Sequence, residues 1–157
     1  MLEIILPPAP RACDRNHGKI GVSASGENKR ARLIAKARTL EAMCVQGVAR
    51  GSFTPKYMCL TVLDATGKMD LDNAVATFKH FQDGVFDAIG ADDRSLCDIY
   101  ARKRKLRHEG RLVMNRWTRC FLTDEYHEFA DDYHTAGAGV AAMFNVWIKE
   151  AEKGAKA

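Results

Sequence analysis

"KYMCLTVLDATGKMDLDNAVATFKHFQDGVFDAIGADDR", residues 56–94, decides the fold. Its first ten residues, Lys56 to Ala65, are apolar and β-branched and read as a strand, which "TGK" then turns. A helix is predicted from about Asp70 to Ala88, with Leu71, Val75, Phe78, Gln82, Val85 and Ile89 on one core-facing stripe. Gly90 follows, where a chain turns back. Asp72, Lys79 and Asp83 share a second face, within roughly 40° of one another at the helical repeat.

Upstream, "LEIIL" (2–6) reads as a short strand ended by "PPAP", which removes backbone donors and forces an extended exit. Residues 9–26 read as a polar loop. A helix is predicted from Glu27 to about Val48, its apolar stripe made of Leu33, Ala37, Leu40 and Cys44, with Lys29, Arg30, Arg32, Lys36 and Arg38 crowding its first half. Downstream, residues 95–108 read as a strand, and "EG" (109–110) suggests a hairpin into a further strand over 111–122. Thr123, Asp124 and Glu125 supply an N-cap and an acidic first turn for a final helix reaching about Lys149. The order β-α-β-α-β-β-α predicts an α+β fold, one domain with a mixed sheet packed against helices. Residues 1–122 form its body, 123–150 an added C-terminal helix and 151–157 a frayed tail.

The chain has 157 residues, 46% of them hydrophobic, and a net charge of +4, enough to bury a core without metal or disulfide staples. Five cysteines, odd in number and without a C-x-x-C, fit a reducing cytosol. No apolar run approaches the ~20 residues of a membrane span, and no signal-peptide pattern opens the chain. These features predict a cytoplasmic protein with no membrane partner. Neither G-x-x-x-x-G-K-[ST] nor G-x-G-x-x-G occurs, so no nucleotide cofactor is expected.

Against the positive net charge, Asp70, Asp72, Asp83, Asp87, Asp92 and Asp93 are massed in one stretch. Two readings fit their spacing. One is a solvated acidic face, since acids near a helix N-terminus are favoured by the macrodipole and Asp92-Asp93 suits a turn. The other is an oxygen-donor site for a hard cation, Mg²⁺ or Mn²⁺, with Lys79 beside it to offset charge on a phosphate. A calcium EF-hand is excluded, because counting from Asp70 places Val75 where glycine is needed and Phe81 where a bidentate Glu is needed. Between 102 and 119, eight cations stand against the single acid Glu109. Among them Arg102, Lys103, Arg104, Lys105 and Arg107 are candidate DNA phosphate contacts, or else charges that protect an edge strand. "TDEYHEFADDYH" (123–134) reads as a surface helix with an aromatic packing stripe.

"DLDN" (70–73), "KHFQDGVFDAIG" (79–90) and "ADDRS" (91–95) resemble the central motif of the RusA-like Holliday-junction resolvases of phages and prophages. "ILPPAP" (5–10) and "GVSASGENKRARLIAKA" (21–37) resemble the opening strand and first helix of that family. The resemblance covers about Leu2 to His108. It implies a RusA-like fold and a homodimeric, Mg²⁺-dependent endonuclease, with Mn²⁺ as a substitute. Its substrate would be branched DNA, a four-way junction nicked symmetrically in recombination and repair, within a bacterial or phage-infected cytoplasm. Carried over by motif, Asp70, Asp72 and Asp93 are the metal-binding carboxylates and Lys79 the essential lysine, with Asn73, Asp83 and Asp92 supporting. Five residues separate Asn73 from Lys79 where compact members have two; on a helix the longer spacing returns Lys79 to the face of Asp72. The alternative is a non-catalytic or weakly catalytic junction-binding protein of the same fold.

Overall fold

The computed structural model describes residues 1–8, 22–63, 70–104, 107–108, 111–112 and 117–125. The chain divides into two compact units, Met1–Tyr126 and His127–Ala157, and every described residue belongs to the first. The helix predicted from 123 to 150 and the tail over 151–157 lie outside the described residues beyond Glu125. So does the surface-helix reading of residues 126–134.

The elements run β1 (Leu2–Leu6), α1 (Val22–Gln46), β2 (Tyr57–Leu63), α2 (Leu71–Ile89), a 3₁₀ turn (Asp93–Ser95), β3 (Asp98–Arg104), β4 (Arg107–His108), β5 (Arg111–Leu112) and β6 (Trp117–Thr123). Four strands form a mixed sheet in the order β1-β6-β2-β3, an α+β domain. β2 and β3 are parallel, and α2 is the crossover between them. β6 pairs antiparallel with both β1 and β2.

The predicted hairpin is realised only in part. β4 and β5 pair antiparallel around positions 109–110. Their longer neighbours β3 and β6 do not meet, because β2 lies between them: Leu63 pairs with Arg104 on one side and Trp117 on the other. β2, with Met58, Cys59, Leu60 and Val62 all buried, takes the central place that a strand apolar on both faces requires.

α1 and α2 pack on one face of the sheet. Leu2, Ile4, Leu6, Met58, Leu60, Cys120 and Leu122 from the strands form one core with Phe78, Phe81, Val85 and Ile89 from α2 and Ala31, Ala35, Ala42 and Met43 from α1. Phe78 and Phe81 meet edge to face with centroids 6.2 Å apart. The α2 stripe holds at Phe78, Gln82, Val85 and Ile89, but Leu71 is exposed and Val75 half-buried. The first turn of α2 therefore carries its apolar residue outward.

On α1 the buried face differs from the prediction. Leu33, Ala37, Leu40 and Cys44 are exposed, while Ala31, Ala35, Thr39, Ala42 and Met43 are buried. The cause is the close approach of α2 at Gly84. A Cβ there would lie 2.9 Å from Ala35 Cβ and closer still to the Arg32 carbonyl oxygen. Only small side chains admit two helix backbones at that separation, so the alanine face turns inward and the leucine face outward. α1 also starts at Val22, inside the predicted loop, because extending an existing helix gains a hydrogen bond per residue without a new nucleation cost.

Among the described residues, Cys44, Cys59, Cys97 and Cys120 are free thiols. Burial beside Glu3 pushes the Cys120 thiol far above its ordinary range, so it is inert. No described helix is long and apolar enough to cross a membrane.

Candidate functional site

The site is assembled by α2 and the turn that follows it. Asp70 is the N-cap of α2, extended at φ −71°, ψ 146°, and its carboxylate makes no capping bond. Asp72 lies exposed in the first turn, near the positive end of the helix. The Asn73 carbonyl accepts from Thr77 Oγ1 at 2.7 Å.

At the other end, Gly90 takes the left-handed conformation (φ 79°) and donates to the Phe86 carbonyl, which reverses the chain. Asp92 Oδ1 then accepts from the Arg94 N–H at 3.0 Å and caps the 3₁₀ turn. Ser95 Oγ donates to the Pro55 carbonyl at 2.7 Å, tying the turn to the residues before β2. The result is to carry Asp93 back along α2.

Asp93 Oδ2 receives two donors, Lys79 Nζ at 2.6 Å and Gln82 Nε2 at 3.0 Å. Asp83 Oδ1 stands 3.7 Å from the same ammonium. Lys79 and Asp93, fourteen residues apart, are thus brought together. The hydrogen bond to Asp93 holds the Lys79 ammonium above the ordinary lysine range, opposed by partial desolvation. The same bond holds the Asp93 carboxyl below the usual carboxylate range, with Gln82 adding to it. Both groups are therefore charged across the whole neutral range.

The other half of the predicted metal set stands apart. At 1.5 Å per residue, Asp72 and Lys79 are about 10 Å apart along the helix axis. Among the described residues, no three His, Cys, Asp or Glu side chains are close enough to hold a metal ion together. A cation held jointly by Asp70, Asp72 and Asp93 therefore requires the three carboxylates to draw closer than they stand here.

Asp93 also borders an open cleft of about 610 Å³ between α1 and the C-terminal half of α2, shared with Arg32, Arg50, Asp83, Asp87 and Asp92. Arg32 grips Asp87 through two bonds, Nε–Oδ2 at 2.7 Å and Nη2–Oδ1 at 2.9 Å. The hydrogen bond from Arg32 lowers the Asp87 pKa.

Of the candidate DNA contacts, the side chains of two, Arg102 and Lys103, are described. In β3, Arg102 and Lys103 project to opposite faces of the sheet by strand alternation. Arg102 is half-buried and donates to Thr61 Oγ1 at 3.1 Å, while Lys103 is exposed. Arg104 ends β3 and Arg107 opens β4. Lys105 lies outside the described residues.

Sequence reasoning missed Gln82 as a site residue because it fell on the core stripe. The signal was present: a polar side chain in an apolar stripe, one turn from Lys79. Arg50, which lines the cleft, carried no comparable signal.

No family model matches the chain. A curated "Uncharacterized protein" of Xylella fastidiosa (strain Temecula1 / ATCC 700964) is 36% identical over 63 residues, 40% of this chain. The chain spans about a third (36%) of the length of that relative.

Proposed function

We propose that this chain is a Mg²⁺-dependent endonuclease that resolves four-way DNA junctions by paired, symmetric phosphodiester cleavage, acting as a homodimer in a bacterial or phage-infected cytoplasm. One observation carries the reading: Lys79 and Asp93, motif residues fourteen positions apart, are in direct contact, with Asp83 on the same ammonium. A merely solvated acidic face gives no reason for the turn to return Asp93 to that lysine.

The donors suit the cation in kind, since all are carboxylate oxygens, and Mg²⁺ is commonly held by one or two carboxylates with water and substrate phosphate completing its shell. Asp70, Asp72 and Asp93 would hold it, with Mn²⁺ as a substitute. When bound, the ion supplies Lewis acidity toward the phosphate and an acidified water. Lys79, permanently charged at neutral pH, neutralises Asp93 in the free protein and would offset negative charge developing on the phosphate in the transition state. Gln82 anchors Asp93 from the buried side, and Asp83 helps to align the ammonium. Asn73 and Asp92 hold local backbone geometry around the acids. Arg102 and Lys103, with Arg104, Lys105 and Arg107, would contact backbone phosphates and give salt-sensitive affinity.

The separation of Asp72 from Asp93 favours a second reading, junction binding with little or no cleavage. The deciding experiment is incubation of a labelled immobile four-way junction and a linear duplex of the same sequence with Mg²⁺, Mn²⁺ or EDTA. Wild type, Asp72→Asn and Lys79→Met are compared. Paired nicks that need metal and vanish in both variants are expected. Junction binding without nicks in any metal transfers support to the second reading, and neither binding nor nicking refutes both.

A further inference from the structure

α1 is apolar on two opposite faces. Its inner face of Ala31, Ala35, Thr39 and Ala42 is buried in the core. On its outer face Leu33 is 66% and Leu40 46% exposed, with Ala37 and Cys44 exposed between and beyond them. These four residues are spaced four, three and four apart, the alternation of the two apolar heptad positions that mark a helix–helix seam. No ionisable cation or carboxylate interrupts the seam from Leu33 to Cys44. Leu33 and Leu40 therefore keep in water a surface whose pattern is that of a contact.

From this pattern we infer that the outer face of α1 is a self-association surface, on which a second copy of the chain lays its own α1 antiparallel. Two observations choose that occupant and that direction. The first is size. Antiparallel pairing about the midpoint between Arg38 and Thr39 sets Leu33 against Cys44 of the second copy and Leu40 against its Ala37, a large residue against a smaller one in every layer. Parallel pairing would stack leucine on leucine and alanine on alanine, leaving the alanine layer unfilled. The second is charge. Lys29, Arg30 and Lys36 lie exposed on the N-terminal side of that midpoint, while the C-terminal side carries Glu41, which Arg38 of its own helix also holds at 3.1 Å, and has no basic residue in its last turn. Antiparallel pairing places the cations of one copy beside Glu41 and the carbonyl end of the other helix. Parallel pairing would set cations against cations. The arrangement is its own complement, as a two-fold interface requires.

A seam of about three turns is smaller than a standard interface, so the dimer is a reversible one. The proposal deepens the homodimer of the proposed function by naming its surface; a dimer that cuts no junction leaves it intact while refuting the nuclease, and cleavage by a strict monomer overturns it together with the paired cleavage.

The test is sedimentation velocity of the full chain over a hundredfold concentration range, with wild type, Leu33→Glu and Leu40→Glu. The expected result is a monomer–dimer equilibrium weakened at least tenfold by each substitution, with unchanged circular dichroism and melting midpoint. Direction is read by oxidation in a Cys13→Ser, Cys97→Ser background. Adding Leu33→Cys should give a covalent dimer through Cys44 of the second copy, whereas Cys44 alone gives none. A wild type monomeric throughout, or a dimer indifferent to both glutamates, overturns the proposal. Crosslinking through Cys44 alone, with nothing gained from Leu33→Cys, overturns the antiparallel arrangement.

Discussion

Replacing Gly84 by alanine tests the contact that orients α1. In an open helix interior this substitution stabilises by about 0.5–1 kcal/mol, because alanine has less backbone freedom to lose on folding. At Gly84 the new Cβ would sit 2.9 Å from Ala35 Cβ and nearer still to the Arg32 carbonyl oxygen. That oxygen belongs to a helix backbone and cannot rotate aside, so α1 and α2 must separate. Overpacking of this kind costs about 1–3 kcal/mol, which exceeds the propensity gain. The expected net loss is about 1–2 kcal/mol, a fall in Tm of roughly 3–8 °C for a unit of this size. Gly26, also in α1, has no heavy atom within 4 Å of the equivalent Cβ position. Gly26→Ala should therefore raise stability by about 0.5–1 kcal/mol. Urea unfolding and thermal melts of the two variants, read by circular dichroism, give opposite signs if the helices touch as described. A Gly84→Ala protein as stable as wild type would refute the close approach, and with it the explanation of why the leucine face of α1 points outward.

Three further perturbations probe the charged groups. Glu3 of β1 is buried and bonded to Arg119 of β6, and both its backbone N–H and its carbonyl are bonded by Gln46. Arg119→Met strands the Glu3 carboxylate and should cost about 3 kcal/mol in urea unfolding, while Glu3→Leu with Arg119→Met should recover most of it. The exposed Arg32–Asp87 bridge, despite its two bonds, is screened by water, so Arg32→Ala should move the urea midpoint far less than Arg119→Met does. For Asp93 the folded pKa is depressed, so the stabilisation from its pairing is present above the ordinary carboxylate pKa and lost as pH falls through the lower folded value. For Lys79 the folded pKa is raised, so its share is present below the ordinary lysine pKa and lost as pH rises through the higher folded value. Carbon-detected NMR titration should show Asp93 ionising below ordinary aspartates in wild type and moving upward in Lys79→Met; an unmoved Asp93 would show that the pair does not form in solution.

The β2-α2-β3 unit was legible because each part carries its own local signal: a β-branched run, an apolar period close to 3.6, and a glycine where the helix stops. The α1 face was not legible from periodicity, and the reason is physical. A hydrophobicity pattern scores leucine above alanine, but the depth to which a helix is buried depends on how closely its neighbour's backbone approaches. That distance is set by Gly84, some fifty residues away in sequence. The same non-locality hid the sheet order: a strand, turn and strand over 95–122 look like a simple hairpin until β2 enters between their bases. In the candidate site, the sequence marked Lys79 and Asp93 by motif, and Gly90 with Asp92 shows how the turn returns one to the other. The length of α2 was legible too, predicted from Asp70 to Ala88, but what that length does to the spacing of the acids was not drawn from the motif. A helix of nineteen residues sets its first turn and its C-cap about 28 Å apart, and the turn after Gly90 recovers only enough of that length to reach Gln82 and Lys79. Lys79 therefore lies between Asp72 and the terminus from which Asp93 returns, already bonded to the acid that a shared cation would need. The Lys79 ammonium on Asp93 Oδ2 opposes a cation at the same carboxylate by charge. Lys79→Met should then bind Mn²⁺ more tightly than wild type in calorimetry, while equal or weaker binding would mean that Asp93 is not shared between the lysine and a cation.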